Sequence, residues 1–389
     1  MRTKLGVAGL PADLDRIATL GEELGISLVL LQDGPCTVDL PVGFSALSLD
    51  FSHDELHVMA ALKAASLAGV WVADARYRER IESLAVRFGW PHLTGDGEEN
   101  QSLVPNAQLF TVETLTQIAA QSSDSLPIPS WVRMPCADGD TSCMRVEHPS
   151  DLSLALNKLK KRRTDGRLRI QPTVEGTIFR LLAFKTGPDL MPIDVVEESV
   201  TSSVYRVPLG VVMPIDRSTP LYEAMVAQSE VVNRALTSGW GYVEMEFVLQ
   251  DDEVILTDVQ APAAFGPDLR AVVYESQGID LYRAAMECAL GRVPDLTPTC
   301  DRGAALTWLL TRSGIVTGFE GVVSARQLDG VETVHIVAKE GDILGHVVDR
   351  ASRERGGYIL ATGDTATEAW EHLEAARVQV WINTSPALS

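Results

Sequence analysis

An α/β fold with an α+β second half is predicted from three features of the chain. Short apolar strands alternate with amphipathic helical stretches over the first 95 residues. Strand-like runs recur after Leu126. Between them in character is VEMEFVLQDDEVILTDVQAP, from Val243 to Pro262, which sets β-branched and apolar flanks around an acidic, polar turn. That is the pattern of an antiparallel hairpin.

Taken in order, Lys4 to Val7 reads as a strand, Asp13 to Leu24 as an amphipathic helix and Ser27 to Leu31 as a buried strand. A second round follows, with helical spacing from His53 to Ala68, the apolar strand GVWVAD and a helix from Arg76 to Phe88. Alternation of this kind builds a parallel sheet. The GVAGL turn lacks the GxGxxG spacing of a dinucleotide site and reads as a turn. From Gly95 to Ser125 the chain is polar and reads as a linker around one short helical stretch. SWVRMP is then a strand, CADGDTSC a loop and MRV another strand. A helix follows with Ser150 as its N-cap, and the basic run Lys158 to Arg163 at its end complements the helix dipole. RLRI leads into PTVEGTIFRLLAF, two strand-like segments joined by a turn at Glu175 and Gly176. Helices are expected over Pro220 to Leu236, in GIDLYRAAMECALG, and from Ala366 to Ala376 after the strand GYILATGD. The expected units are residues 1–95, a connecting segment 96–125, a small subdomain 126–185 and a larger one 186–389.

Composition narrows the function classes. With 46% hydrophobic and 22% charged residues, the chain belongs among soluble globular proteins. A formal charge of −20 argues against a nucleic-acid backbone as partner, since that binding relies on clustered Lys and Arg. Five scattered cysteines without CxxC spacing suit a reducing cytoplasm. The N-terminus lacks the apolar core of a secretory signal, and no apolar run approaches the roughly 20 residues that span a bilayer.

The hairpin carries the chemistry. If Leu249 faces Ile255, the register places Glu246 opposite Asp258 and Glu244 opposite Gln260, all on one face. Met245, Phe247, Leu249, Ile255 and Val259 then form the core face. Like charges with Cβ atoms about 5 Å apart destabilise a strand pair. A hard divalent cation such as Mg²⁺ would compensate, since it takes carboxylate and amide oxygens. A solvated strand face is the other reading.

From Leu126 to Ile382 the order of elements resembles the ATP-grasp superfamily, specifically its carboxylate-amine ligases of the L-amino acid ligase type. PSWVRMPCADGDTSCMRV is similar to the strand, Gly-containing loop and strand of the small lid subdomain. QPTVEG is similar to the hinge at which adenine binds through backbone groups. Glu246, Asp258 and Gln260 fall on the spacing of the metal-binding carboxylates, and the last helix and the terminal strand-turn-helix also match. The N-terminal 95 residues resemble the preceding parallel-sheet domain more loosely. Departures accompany the likeness: Arg133 stands at a lysine position, Gln171 at the hinge glutamate, Ile178 at a ribose-binding glutamate and Pro262 at an arginine.

The resemblance implies an ATP-dependent, ADP-forming ligase joining a small carboxylate to an amine through an acyl phosphate, with ATP and Mg²⁺ as cofactors. It implies Arg133 and Arg145 as catalytic groups, and Arg133, Gly139, Ser142, Ile170, Gln171 and Thr173 around the nucleotide. Arg145, ending a hairpin, also reads as a solvated surface charge. Arg206 and Arg283 are candidate partners for a carboxylate substrate. The substrates would be small molecules, amino acids among them, and a homodimer is common among relatives. The alternative drawn from the departures is a relative that binds nucleotide or a partner without ligation.

Overall fold

The computed structural model describes residues 2–50, 55–93, 103–111, 128–135, 141–148, 151–153, 156, 167–236, 239–261 and 265–386. The first unit comprises β1 (Thr3–Ala8), α1 (Leu14–Glu23), β2 (Ile26–Asp33), β3 (Phe44–Leu49), α2 (Glu55–Ala65), β4 (Gly69–Val72) and α3 (Arg78–Phe88). Its strands are parallel, in the order β3-β2-β1-β4. Asp13 starts α1 by accepting the Arg16 amide, and the helix buries Ile17, Ala18 and Leu20 against the sheet. β3 was not expected, because its FSALSL sequence is half exposed at the sheet edge and lacks a continuous apolar run.

The second unit is a four-stranded antiparallel sheet of β5 (Gln108–Thr111), β6 (Ser130–Pro135), β7 (Thr141–Val146) and β8 (Arg167–Pro172), ordered β5-β8-β6-β7. The linker expected over 96–125 therefore contains a strand, since Gln108 to Thr111 pair with Ile170 to Arg167. Val132, Met144, Val146, Leu168 and Ile170 pack under this sheet with Leu152 and Leu156. Residues 151–153 are helical as expected; Ser150 and the Lys158 to Arg163 run lie outside the described residues.

The body follows: β9 (Thr177–Gly187), β10 (Asp189–Val200), β11 (Pro208–Met213), α4 (Pro220–Ala235), β12 (Gly239–Gln250), β13 (Glu253–Gln260), α5 (Pro267–Gln277), α6 (Leu281–Ala289), β14 (Gly303–Trp308), β15 (Gly314–Glu320), α7 (Val322–Ala325), β16 (Val331–Ile336), β17 (Ile343–Leu344), α8 (Arg350–Glu354), β18 (Gly357–Gly363), α9 (Ala366–Arg377) and β19 (Trp381–Ser385). Eight of its strands form one antiparallel sheet in the order β13-β12-β9-β10-β11-β14-β18-β16. β9 belongs to this sheet, so the step between the small and large units falls in residues 173–176 rather than at 185. There Gly176 approaches the hairpin so closely that a Cβ would stand 2.0 Å from the Leu249 carbonyl oxygen.

Strand alternation fills both faces of the body sheet. Leu182 and Phe184 enter the core shared with α5, α6 and the N-terminal unit, while Leu181 and Ala183 enter the core beneath α4. β9 is accordingly buried along nearly its whole length. No helix among the described residues is long and apolar enough to cross a membrane.

Candidate functional site

Glu246 does lie opposite Asp258, and Glu244 opposite Gln260. The turn is tighter than expected, however. Asp251 and Asp252 both have positive φ, the geometry of a type I′ hairpin turn. Leu249 thus pairs with Val254, and Thr257 is an extra residue where the register shifts beyond Glu246. The shift puts Leu256 rather than Ile255 in the core and turns Thr257 inward, where its hydroxyl donates to Glu246 Oε1 at 2.6 Å.

Facing this pair is a second like-charge pair. On β6 and β8, Arg133 lies directly opposite Arg169. Either pair alone would repel; docked, each neutralises the other. Arg133 donates to Glu246 Oε1 at 2.7 Å and to Asp258 Oδ2 at 2.8 Å, and Arg169 donates to Asp258 Oδ1 at 2.5 Å. Each of the four residues is no more than 5% exposed, so water screens them little. Arg206 Nη2 approaches Glu246 Oε1 at 3.2 Å from the loop before β11. One step deeper, Arg180 is cross-strand from Glu246 and donates to Glu244 at 2.7 Å and Glu198 at 2.8 Å. Four guanidiniums meet four carboxylates.

The protonation balance follows from this geometry. Burial works against ionised Glu246, but Arg133, Arg206 and Arg180 hold its carboxyl well below the usual range. Burial likewise opposes ionised Asp258, and Arg169 with Arg133 keeps it low. At Glu198 burial wins over Arg180 and leaves the carboxyl above its ordinary value.

Mg²⁺ does not fit the place assigned to it from sequence. The Arg133 guanidinium bridges Glu246 and Asp258 at that point, and Gln260 turns its amide nitrogen to donate to Asp258 Oδ2. Among the described residues no group of three or more His, Cys, Asp or Glu side chains could hold a metal ion. The opposed carboxylates require positive charge between them, and the lid sheet supplies it as arginine.

Alternation on the lid strands determines what else faces the body. Val132 and Ile170 enter the lid core, leaving Ile170 only its backbone to offer a ligand. Trp131, Arg133, Cys143, Arg169 and Gln171 share the other face. Trp131 Nε1, Gln171 Oε1 and Thr173 Oγ1 are buried there and have no hydrogen-bond partner among the described residues. Arg145 lies opposite Trp131 on this face but does not join the cluster: it pairs with Glu147 at 3.1 Å and Glu175 at 2.8 Å. Arg283 pairs with Glu23 at 2.8 Å on the surface. Gly139 and Pro262 lie outside the described residues, as does the Ser142 side chain.

The lid is joined to the body by backbone as well as by charge. Met144 bridges Tyr205, the Arg145 amide donates to Val204 and the Arg206 amide to Cys143. Cys143 is 6% exposed between these units, and burial pushes its thiol up despite Arg133 and Arg206. A thiol reagent should modify exposed Cys300 first and Cys143 about tenfold or more slowly, at the rate at which the lid leaves the body. Peptide mapping after timed alkylation checks this; equal rates would mean the lid is not docked in solution.

Beside the cluster, two residues along β12 from Glu244, Tyr242 lines a cavity of about 90 Å³ together with Trp71, Trp240, Ala261, Phe265 and Cys288. It runs along β4, the edge strand of the parallel sheet, whose Val70, Trp71 and Val72 line it.

Arg169, Arg180 and Glu198 were not foreseen. Arg180 had a legible signal, a single charge within IFRLLAF, where burial on both sides demands a partner.

Residues 307–385 match the family described as L-amino acid ligase C-terminal domain 2. No curated protein matches the chain. An L-amino acid ligase from Bacillus licheniformis is similar in structure, with a TM-score of 0.77 over 99% of both chains at 17% identity. Phosphoribosylglycinamide synthetase from Anaerococcus prevotii has a TM-score of 0.66 over 99% of this chain and 100% of its own at 15% identity. Carboxyaminoimidazole ribonucleotide synthase from Aspergillus clavatus, solved with ATP, has a TM-score of 0.60 at 16% identity over 96% of this chain and 97% of its own. At these identities the likeness establishes architecture: the chain has the ATP-grasp fold, and the family match is confined to residues 307–385.

Proposed function

We propose that the protein is an ATP-dependent, ADP-forming ligase that joins a small carboxylate to an amine. The observation that carries this reading is the continuous polar track on the lid. Unpartnered Trp131 Nε1, Gln171 Oε1 and Thr173 Oγ1 lead to the guanidiniums of Arg133 and Arg169, which Arg206 joins from the body loop before β11. Buried polar atoms without partners are costly unless a ligand completes them. A base with donors and acceptors at one end and a chain of phosphates at the other matches that track. ATP therefore fits the residues present, in the frame of a fold whose solved relatives include one complexed with ATP.

The chemistry asks the protein chiefly for positioning and charge neutralisation. A carboxylate oxygen of the first substrate attacks the γ-phosphorus, the bond to the β,γ-bridging oxygen breaks, and ADP leaves. The amine nitrogen then attacks the acyl carbon and loses a proton as inorganic phosphate departs with the C–O bond electrons. Arg133 and Arg206 neutralise charge on the transferring group, and the docked lid keeps water from the acyl phosphate. The cavity beside Tyr242 has room for about three waters, or a short aliphatic side chain, and receives the apolar part of one substrate.

A second reading rests on one observation: the arginine bridge across Glu246 and Asp258 replaces the cation site expected of a ligase. On that reading the protein binds nucleotide without ligation. ADP release measured over pairs of amino acids and small acids separates the two. A pair that stimulates release and yields an amide by mass spectrometry supports the ligase. Nucleotide binding with no pair stimulating release leaves the second reading standing.

A further inference from the structure

We infer that this site holds a polyphosphate with guanidinium groups alone, and that the protein retains no divalent metal there. The inference rests on the nucleotide reading above and goes beyond it in naming what neutralises the phosphates. Every oxygen of the opposed carboxylates already faces a donor. Glu246 Oε1 meets Arg133, Arg206 and the Thr257 hydroxyl, and Oε2 faces Arg180 at 3.7 Å. Asp258 Oδ1 meets Arg169, and Oδ2 meets Arg133 and the Gln260 amide. A cation between them would have to displace Arg133 into contact with Arg169, its cross-strand neighbour.

The charge distribution points the same way. Arg133 and Arg169 from the lid and Arg206 from the loop before β11 meet the two carboxylates of Glu246 and Asp258, so neither carboxylate is left uncompensated. Arg180 is occupied one step behind by Glu198 and Glu244. A divalent cation would therefore find no uncompensated carboxylate to offset its loss of hydration in a poorly screened interior.

Unused donors give the anion somewhere to bind. The Nε atoms of Arg133, Arg169 and Arg180 are buried and make no hydrogen bond among the described residues. Each guanidinium can therefore keep its carboxylate through one edge and donate to phosphate oxygens from another, as its fixed fork of five donors allows. A lysine at position 133 would not bridge in this way.

Calorimetry on the full chain tests this with two probes, ATP and Mn²⁺. ATP titrated in excess EDTA is expected to bind within about threefold of its affinity in Mg²⁺, and Mn²⁺ alone is expected to give no one-to-one binding. Loss of about tenfold or more of ATP affinity in EDTA, or stoichiometric Mn²⁺ binding without nucleotide, overturns the inference and leaves the nucleotide reading intact. Absence of ATP binding in both buffers overturns both. Arg169→Gln adds an independent arm: it is expected to weaken ATP about tenfold in EDTA and to open the Asp258 oxygens to Mn²⁺. A folded Arg169→Gln protein that binds ATP in EDTA like the wild type counts against the inference; if it does not fold, the wild-type arms decide alone.

Discussion

Replacing Arg133 by Met should lower the stability of the protein by about 3–5 kcal/mol, the range found when one partner of a buried ion pair is removed. Arg133 is 5% exposed and, among the described residues, is the side chain that touches both Glu246 and Asp258. Without it the two carboxylates remain opposed across β12 and β13, buried, with Arg206 and the more distant Arg180 beside Glu246 and Arg169 beside Asp258. The loss comes mainly from the uncompensated carboxylates, so it should be recoverable. Arg133→Met combined with Glu246→Gln and Asp258→Asn should restore most of it, because a neutral, hydrogen-bonded set replaces a broken ionic one. Urea unfolding of the single and triple variants measures both. If the single change costs less than about 1 kcal/mol, the lid is not docked in solution and the bridge is not formed.

That cluster also marks the limit of what can be read from sequence. The hairpin was legible because a strand has a strict period of two and the Asp251-Asp252 tip bounds it; the carboxylates could be placed opposite each other on paper. Their partners could not, because Arg133 and Arg169 lie on strands whose pairing depends on a long intervening segment, and cross-strand register between distant strands leaves no local trace. The charge conflict was therefore visible and its resolution was not. Magnesium was a reasonable cation to supply, and arginine is the one the fold supplies. Arg133 itself stood out as a charge among Trp131 and Val132, and the same argument extends to Arg180 within its apolar run. Arg145 was read both as a catalytic group and as a surface charge ending a hairpin; β7 is the edge of the lid sheet, and there its long side chain reaches Glu147 and Glu175. The tip of the hairpin was misjudged by one residue because a bulge adds no composition signal, although it decides that Thr257 faces Glu246.

Arg353→Met should be as costly, about 3–5 kcal/mol, by a different route. The Arg353 side chain is fully buried, with its guanidinium 4.4 Å from the centre of the Trp308 ring. It lies 3.1 Å from Asp268 Oδ2 and donates to the Pro208 carbonyl at 2.9 Å. It thus ties α8 to the first turn of α5, the end of β14 and the start of β11. Lys at this position should not rescue the loss, since a single ammonium cannot stack on the indole while serving the carboxylate and the carbonyl together. The pair also has a pH signature. Burial would raise the Asp268 carboxyl, but Arg353 and then Arg350 draw it down to about 2, below its unfolded value of about 3.9. A depressed carboxyl contributes stability that is complete above the unfolded value and is lost as pH falls through the folded one. The wild type should therefore lose about 2 kcal/mol from this residue between about pH 4 and pH 2. Arg353→Met should lose much less over that interval, so the gap between the two proteins should narrow as acid is added. Thermal or urea unfolding of both across that range decides the matter: a gap that stays constant would show that Arg353 acts through its stacking on Trp308 and not through Asp268.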